Sequence, residues 1–286
     1  MRIRVHGATD IGRKRSINED NYKICPKMNL YIVADGMGGH IAGEIASRLA
    51  VDIIAEAVQF EYESLRDNDR LADFHPGHLL DKAIQLANRK ILETAQKRPE
   101  LEGMGTTTVA ALVHHNTLHI ASVGDSRIYR VRDREISQLT SDHSWVNMQV
   151  RLGNMTAEEA RYHPMRNVIT RALGTQLEVE IDIMAHLIRH NDVVLMCTDG
   201  LSNSIQMPEI AQQINEKPDL ESATECLIQI ANERGGDDNI TAVLLQFDYE
   251  GDTATRLEDD EQDTEIIPVQ RVKSRLQHSR FPKRPP

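Results

Sequence analysis

Cysteine is scarce in this 286-residue chain: Cys25, Cys197 and Cys226 stand far apart, with no CxxC spacing. That excludes a disulfide framework and a cysteine-based zinc site, and it fits a reducing compartment. Long hydrophobic runs are missing as well. No window approaches 18 uncharged apolar residues, and the opening MRIRVHGATD lacks the apolar core of a signal peptide, so no membrane span is expected and the cytoplasm is the expected location. Basic charge is in deficit, with 33 Lys and Arg against 44 Asp and Glu for a net −11, which argues against nucleic acid or an anionic membrane as a partner. Aromatics supply only 4% of the chain, and Trp145 is the single tryptophan, yet 40% of residues are apolar, enough to bury a substantial core. No GxxxxGKS/T loop occurs, and the glycine-rich stretch from Gly36 to Ile41 does not fit GxGxxG, so ATP-dependent transfer is demoted.

What is present divides at residue 248. Residues 250–265 carry eight acids and one Arg, while 271–286 carry six basic residues, no acids and three prolines. Such composition cannot fold alone, so we expect a domain over 1–248 and a charged, disordered tail over 249–286. Within the domain, strands are expected at 30–34, 107–114, 118–123, 127–132, 192–197 and 240–247. The loops joining the second, third and fourth of these are too short for helical crossovers, which implies antiparallel pairing among them. Helical periodicity marks 43–58, through Ile45, Leu49, Ile53 and Ala57, and 79–97, through Leu80, Ile84, Ala87 and Ile91. A third helix follows Asp219, and a capping box at Thr156 and Glu159 starts a short one. Runs of strands with a few long helices read as an α+β layered sandwich.

Carboxylates recur beside glycine where apolar strands stop: Asp35-Gly36, Gly124-Asp125, Asp199-Gly200, and Asp238 after the pair Gly235-Gly236. One such pair alone is ordinarily a turn. Four carboxylates gathered on one sheet edge would repel unless protonated or neutralised, and a divalent metal site is the economical explanation. Oxygen-only ligation selects Mg²⁺ or Mn²⁺ over zinc, and two such ions suit phosphoester hydrolysis. Arg15, four residues before Glu19-Asp20, has the planar fork that suits a phosphomonoester, or else forms a solvated turn with Arg13 and Lys14. His40 is a candidate proton donor to the leaving oxygen, or a structural turn histidine. The run Thr106 to Thr108 reads as strand rather than nucleophile.

Eight stretches then occur in one order: RKRSINEDN (13–21), ADGMGGHIAGEIAS (34–47), GMGTTTVAALV (103–113), SVGDSRIYR (122–130), LTSDHSWV (139–146), HPMRNVITRALG (163–174), CTDGLSN (197–203) and GGDDNITAVLL (235–245). Spread over residues 5–247, they resemble the bacterial metal-dependent protein phosphatases of the protein phosphatase 2C (PPM) family. The resemblance implies a four-layer αββα sandwich of two antiparallel sheets flanked by helices, with a dinuclear Mg²⁺ or Mn²⁺ centre at one edge. It implies that Asp35 bridges both ions, that Gly36 lends its carbonyl, that Asp199 and Asp238 complete the ligands, and that Glu19 holds metal-bound water. Arg15 would bind phosphate and His40 would be the general acid. Asp125, with Asp199, resembles a third, weaker metal site, and 156–171 resembles a flap bordering the cleft. The implied activity is phosphoserine and phosphothreonine hydrolysis by a metal-bound hydroxide, acting as a monomer on phosphoproteins and opposing a Ser/Thr protein kinase. Two rivals are an inert phosphatase-like binding module and a hydrolase of small phosphate esters.

Overall fold

The structure, a computed structural model, describes residues 1–39, 41–68 and 74–248; the expected tail at 249–286 lies outside them. Two antiparallel sheets form the centre. The first runs β1 (Arg2–Asp10), β11 (Ile240–Asp248), β10 (Val193–Cys197), β7 (Arg127–Arg132), β8 (Glu135–Gln138). The second runs β2 (Asp20–Cys25), β3 (Leu30–Met37), β5 (Thr108–His114), β6 (Thr117–Val123), β9 (Asp182–Leu187), and the short β4 (Gly105–Thr106) pairs with β3 beyond its path.

Strand alternation builds three apolar layers from these two sheets. Tyr31 and Val33 of β3 pack with Met196 of β10 and Val243 of β11 between the sheets. The alternate residues Leu30, Ile32 and Ala34 face α1 (Ile41–Asp67) and α2 (Pro76–Lys97). On the far side, Leu195 and Leu244 face α6 (Met207–Glu216) and α7 (Leu220–Glu233). Central strands buried on both faces read as continuous apolar runs, and each such side chain contributes about 1.5–3 kcal/mol on leaving water. The result is the expected αββα sandwich. Among the described residues no helix is long and apolar enough to cross a membrane.

Three local expectations change. The strand at 127–132 does not pair with 118–123; β7 pairs with β10 and β8 in the other sheet. Gly124 takes φ +104, and a Cβ there would collide with Thr107, so the turn carries the chain across the sandwich edge instead of folding it back. In α1 the deepest stripe is Ala42, Ala46, Ala50 and Ile54, whereas Ile45, Leu49, Ile53 and Ala57 are partly buried on its flank. Small residues let the helix approach the sheet closely, and the larger ones fill its margin. That helix also runs on to Asp67, nine residues past the expected end. The expected capping box is present: Thr156 Oγ1 accepts from Glu159 N, Glu159 accepts from Thr156 N, and α4 (Ala157–Tyr162) follows.

Candidate active site

Each sheet sends two carboxylates to one edge of the sandwich. Asp35 lies near the end of β3 and Asp125 just after β6; Asp199 opens α5 (Asp199–Ser202) directly after β10, and Asp238 precedes β11. Asp35 is held by its main chain: its N–H donates to Thr107 Oγ1 at 3.0 Å, and its carbonyl accepts from Thr107 N at 2.9 Å and Thr106 Oγ1 at 2.8 Å. These buried threonines are therefore struts. Gly36 donates to the Glu19 carbonyl at 3.1 Å, and a Cβ at Gly36 would run into the carbonyls of Gly43 and Glu19.

The crowding is visible in the acidity of the group. Burial pushes the Asp35 carboxyl well above its ordinary range, and Asp20, Asp199, Asp125 and Asp238 push it further. Asp199 rises to about 6, first through burial and then through Asp238, although it accepts a hydrogen bond from the Asp35 carboxyl and is opposed by Arg127. Asp125, 8% exposed, is raised well up by burial and then by Asp199 and Asp142. Asp20 was not singled out from sequence. It stands directly across from Asp35 in the β2–β3 register, is 4% exposed, and rises to about 7 through burial despite hydroxyl donors Thr241 at 2.7 Å and Thr198 at 2.8 Å. Strand alternation past Glu19 could have found it, had β2 been recognised.

Two corners flank this floor. At one, Arg15 Nη2 contacts Asp238 Oδ2 at 2.8 Å, with Glu19 Oε2 3.8 Å from Nη1. The guanidinium is about half exposed, whereas Glu19 is buried. At the other corner Arg127 grips Asp142 through Nε at 3.0 Å and Nη2 at 2.6 Å, beside buried His143, whose Nδ1 accepts from Gly124 N at 3.0 Å. His143 Nε2 lies 3.1 Å from Asp182 Oδ2. A short ladder, His143 O from Thr170 N at 2.7 Å and Trp145 N to Val168 O at 2.8 Å, closes the base of the flap. The segment expected as a flap, 156–171, holds α4, and α3 (Trp145–Arg151) precedes it. Between flap and sandwich lies a cleft of about 860 Å³ whose lining includes Asp125, Asp199, Arg161 and Arg166. His40 lies outside the described residues.

Among the described residues no three acidic, imidazole or thiol side chains converge into a closed cation cage. The donor set nonetheless fits hard cations. Asp20 Oδ1 and Asp199 Oδ1 are buried acceptors without a hydrogen-bond donor, the elevated carboxyls mark a place where positive charge is stabilised, and the donors are all oxygen.

Sandwich and edge together define a two-sheet α+β protein with a carboxylate-lined site at one edge. The family model for protein phosphatase 2C matches residues 9–245. The serine/threonine phosphatase stp of Listeria innocua is 39% identical over 241 residues, 83% of this chain and 93% of that protein. The crystal structure of the Mycobacterium tuberculosis serine/threonine phosphatase PstP/Ppp superposes with a TM-score of 0.76 at 36% identity, over 86% of this chain and 99% of that one. The catalytic domain of PstP in complex with two manganese ions gives 0.73 at 34% identity, over 86% and 99%. The chain belongs to the protein phosphatase 2C family.

Proposed function

We propose that this chain is a Mg²⁺- or Mn²⁺-dependent serine/threonine phosphatase acting on phosphoproteins, with Asp35, Asp199, Asp238 and the Gly36 carbonyl as ligands for two ions and Glu19 beside them. The observation that carries the reading is Asp35 itself, whose carboxyl is made a weaker acid by burial and by four neighbouring aspartates, a concentration of negative charge that bound cations or protons relieve. Bound there, the ions would neutralise phosphoryl oxygens and acidify a water for in-line attack. This chain's own groups do the rest. Arg15, exposed and paired to Asp238, offers its fork to the incoming phosphate dianion. Thr106 and Thr107 fix the Asp35 backbone, so its carboxylate needs little reorganisation during turnover. His40 is the candidate donor of a proton to the leaving seryl or threonyl oxygen. Asp125 with Asp199 is the candidate holder of a third, weaker ion.

The domain ends at 248, with 249–286 a charged segment. The enzyme is read as a cytoplasmic monomer opposing a Ser/Thr protein kinase, which suits a chain of net −11 that is not built for membrane or nucleic acid. Phosphate release from a phosphothreonine peptide, measured with Mn²⁺, with EDTA and with Asp238→Asn in parallel, tests the reading. Release that needs both metal and Asp238 is expected; no release from folded, metal-supplemented protein would favour the inert binding module.

A further inference from the structure

Arg15 sits in a loop of no regular structure, residues 11–19, between β1 and β2. A long side chain can meet a phosphate repeatedly only if its own backbone is fixed. The ties that fix this loop converge on one turn, Gly236 to Asn239. Arg13 N and Lys14 N both donate to the Gly236 carbonyl, at 2.7 and 3.2 Å. Asn239, 3% exposed, closes the loop at both ends: its Nδ2 donates to Ile11 O at 2.9 Å and to Ile17 O at 3.0 Å, and its Oδ1 accepts from Glu19 N at 2.8 Å. One neutral side chain thus satisfies three main-chain groups on either side of Arg15. The same turn carries Asp238, the carboxylate that Arg15 contacts.

We infer that Asn239 is a positioning residue for phosphate capture: it indexes the Arg15 loop to the turn that bears Asp238, so that phosphate anchor and site carboxylate keep a fixed separation. The inference rests on the reading of Arg15 as the phosphate anchor. Without Asn239 the three main-chain groups lose their partners, the loop gains conformations, and ordering it becomes part of the cost of binding phosphate. The effect belongs on KM, because the bond that holds the Asp238 carboxylate comes from the main-chain N–H of residue 239, which donates to Asp238 Oδ1 at 2.8 Å and survives substitution.

The test is a double-mutant cycle of Arg15→Ala and Asn239→Ser, repeated with Asn239→Ala, reading kcat and KM separately for para-nitrophenyl phosphate at saturating Mn²⁺, with thermal melts to verify folding. Both Asn239 replacements are neutral and leave the charge of the site unchanged. Arg15→Ala should raise KM about tenfold. Asn239→Ser should raise KM severalfold with kcat little altered, and the double variant should be no worse than Arg15→Ala alone. An unchanged KM in Arg15→Ala would remove both the anchor and this inference. A raised KM there, with Asn239→Ser unaffected or with the two effects multiplying, would overturn the inference alone. So would unfolding of both Asn239 variants at the assay temperature, which would make Asn239 a folding determinant instead.

Discussion

The two corners of the carboxylate-bearing edge hold their carboxylates by opposite means. At the Arg15 corner the counter-charge is a half-exposed arginine on a loop, and a buried neutral amide, Asn239, supplies the fixing. At the flap corner Arg127 and Asp142 are locked in a mostly buried bidentate pair, and His143 ties the Asp125 turn to the flap base. A cation that must release its partner to a ligand is left in solvent, where exchanging partners costs little. A cation that only holds the frame is withdrawn, where breaking the pair is expensive.

The sharpest break in that contrast is Asp238→Asn, which removes a proposed ligand from the exchangeable corner. Turnover at saturating Mn²⁺ should fall at least about 100-fold while the melting temperature holds or rises; activity near the parent's would remove Asp238 from the ligand set. Next comes Asp142→Ala, which strands Arg127 at the withdrawn corner. Allowing for partial exposure, we expect a loss of about 2–3 kcal/mol in urea unfolding, whereas Arg15→Ala should cost less than about 1 kcal/mol. Equal losses in the two variants would erase the distinction.

A pH series reads both corners through the shared floor. The folded-state carboxyls of Asp20, at about 7, and Asp199, at about 6, lie above the ordinary aspartate value of about 3.9, so between those limits the folded state binds more protons than the unfolded one. Stability of metal-free protein must then fall as pH rises from about 4 to 7. Added Mn²⁺ should restore more at pH 7.5 than at pH 5, and a flat metal-free profile would contradict the crowding. The most local effect is expected at Thr156→Ala, which opens the capping box of α4. It should cost about 1 kcal/mol and appear as faster amide exchange over 157–162 with the global transition unmoved.

Legibility in the sequence followed burial. The strands found in advance, β3, β5, β6, β7, β10 and β11, are the interior ones. Those missed, β1, β2, β8 and β9, are the four sheet edges, where one flank is unpaired and polar residues interrupt the apolar pattern: β1 reads RIRVHGATD and β8 only EISQ. The site shows the same division. Asp35, Asp125 and Asp199 were legible because each borders a glycine at the end of an interior strand, and Asp238 because the pair Gly235-Gly236 announces the turn just before one. Asp20 was not, because its place opposite Asp35 depends on an edge strand, and Asn239 was not, because its partners lie some 220 residues away along the chain. The β6–β7 connection was misread because loop length alone does not distinguish a hairpin from a crossing between sheets.

Strand β11 pairs along its whole length with β1, from Arg2 opposite Asp248 to Asp10 opposite Ile240, and on its other flank with β10. The first strand of the domain therefore pairs with its last, and a closure over so many residues is slow and costly in loop entropy. Asp238 and Asn239 emerge just ahead of β11, so the edge that would hold the ions is incomplete until the domain is nearly finished. On the proposed ligand set, a chain cut short of β11 would lack Asp238's fixed place, so hydrolytic competence would arrive with the domain's final strand.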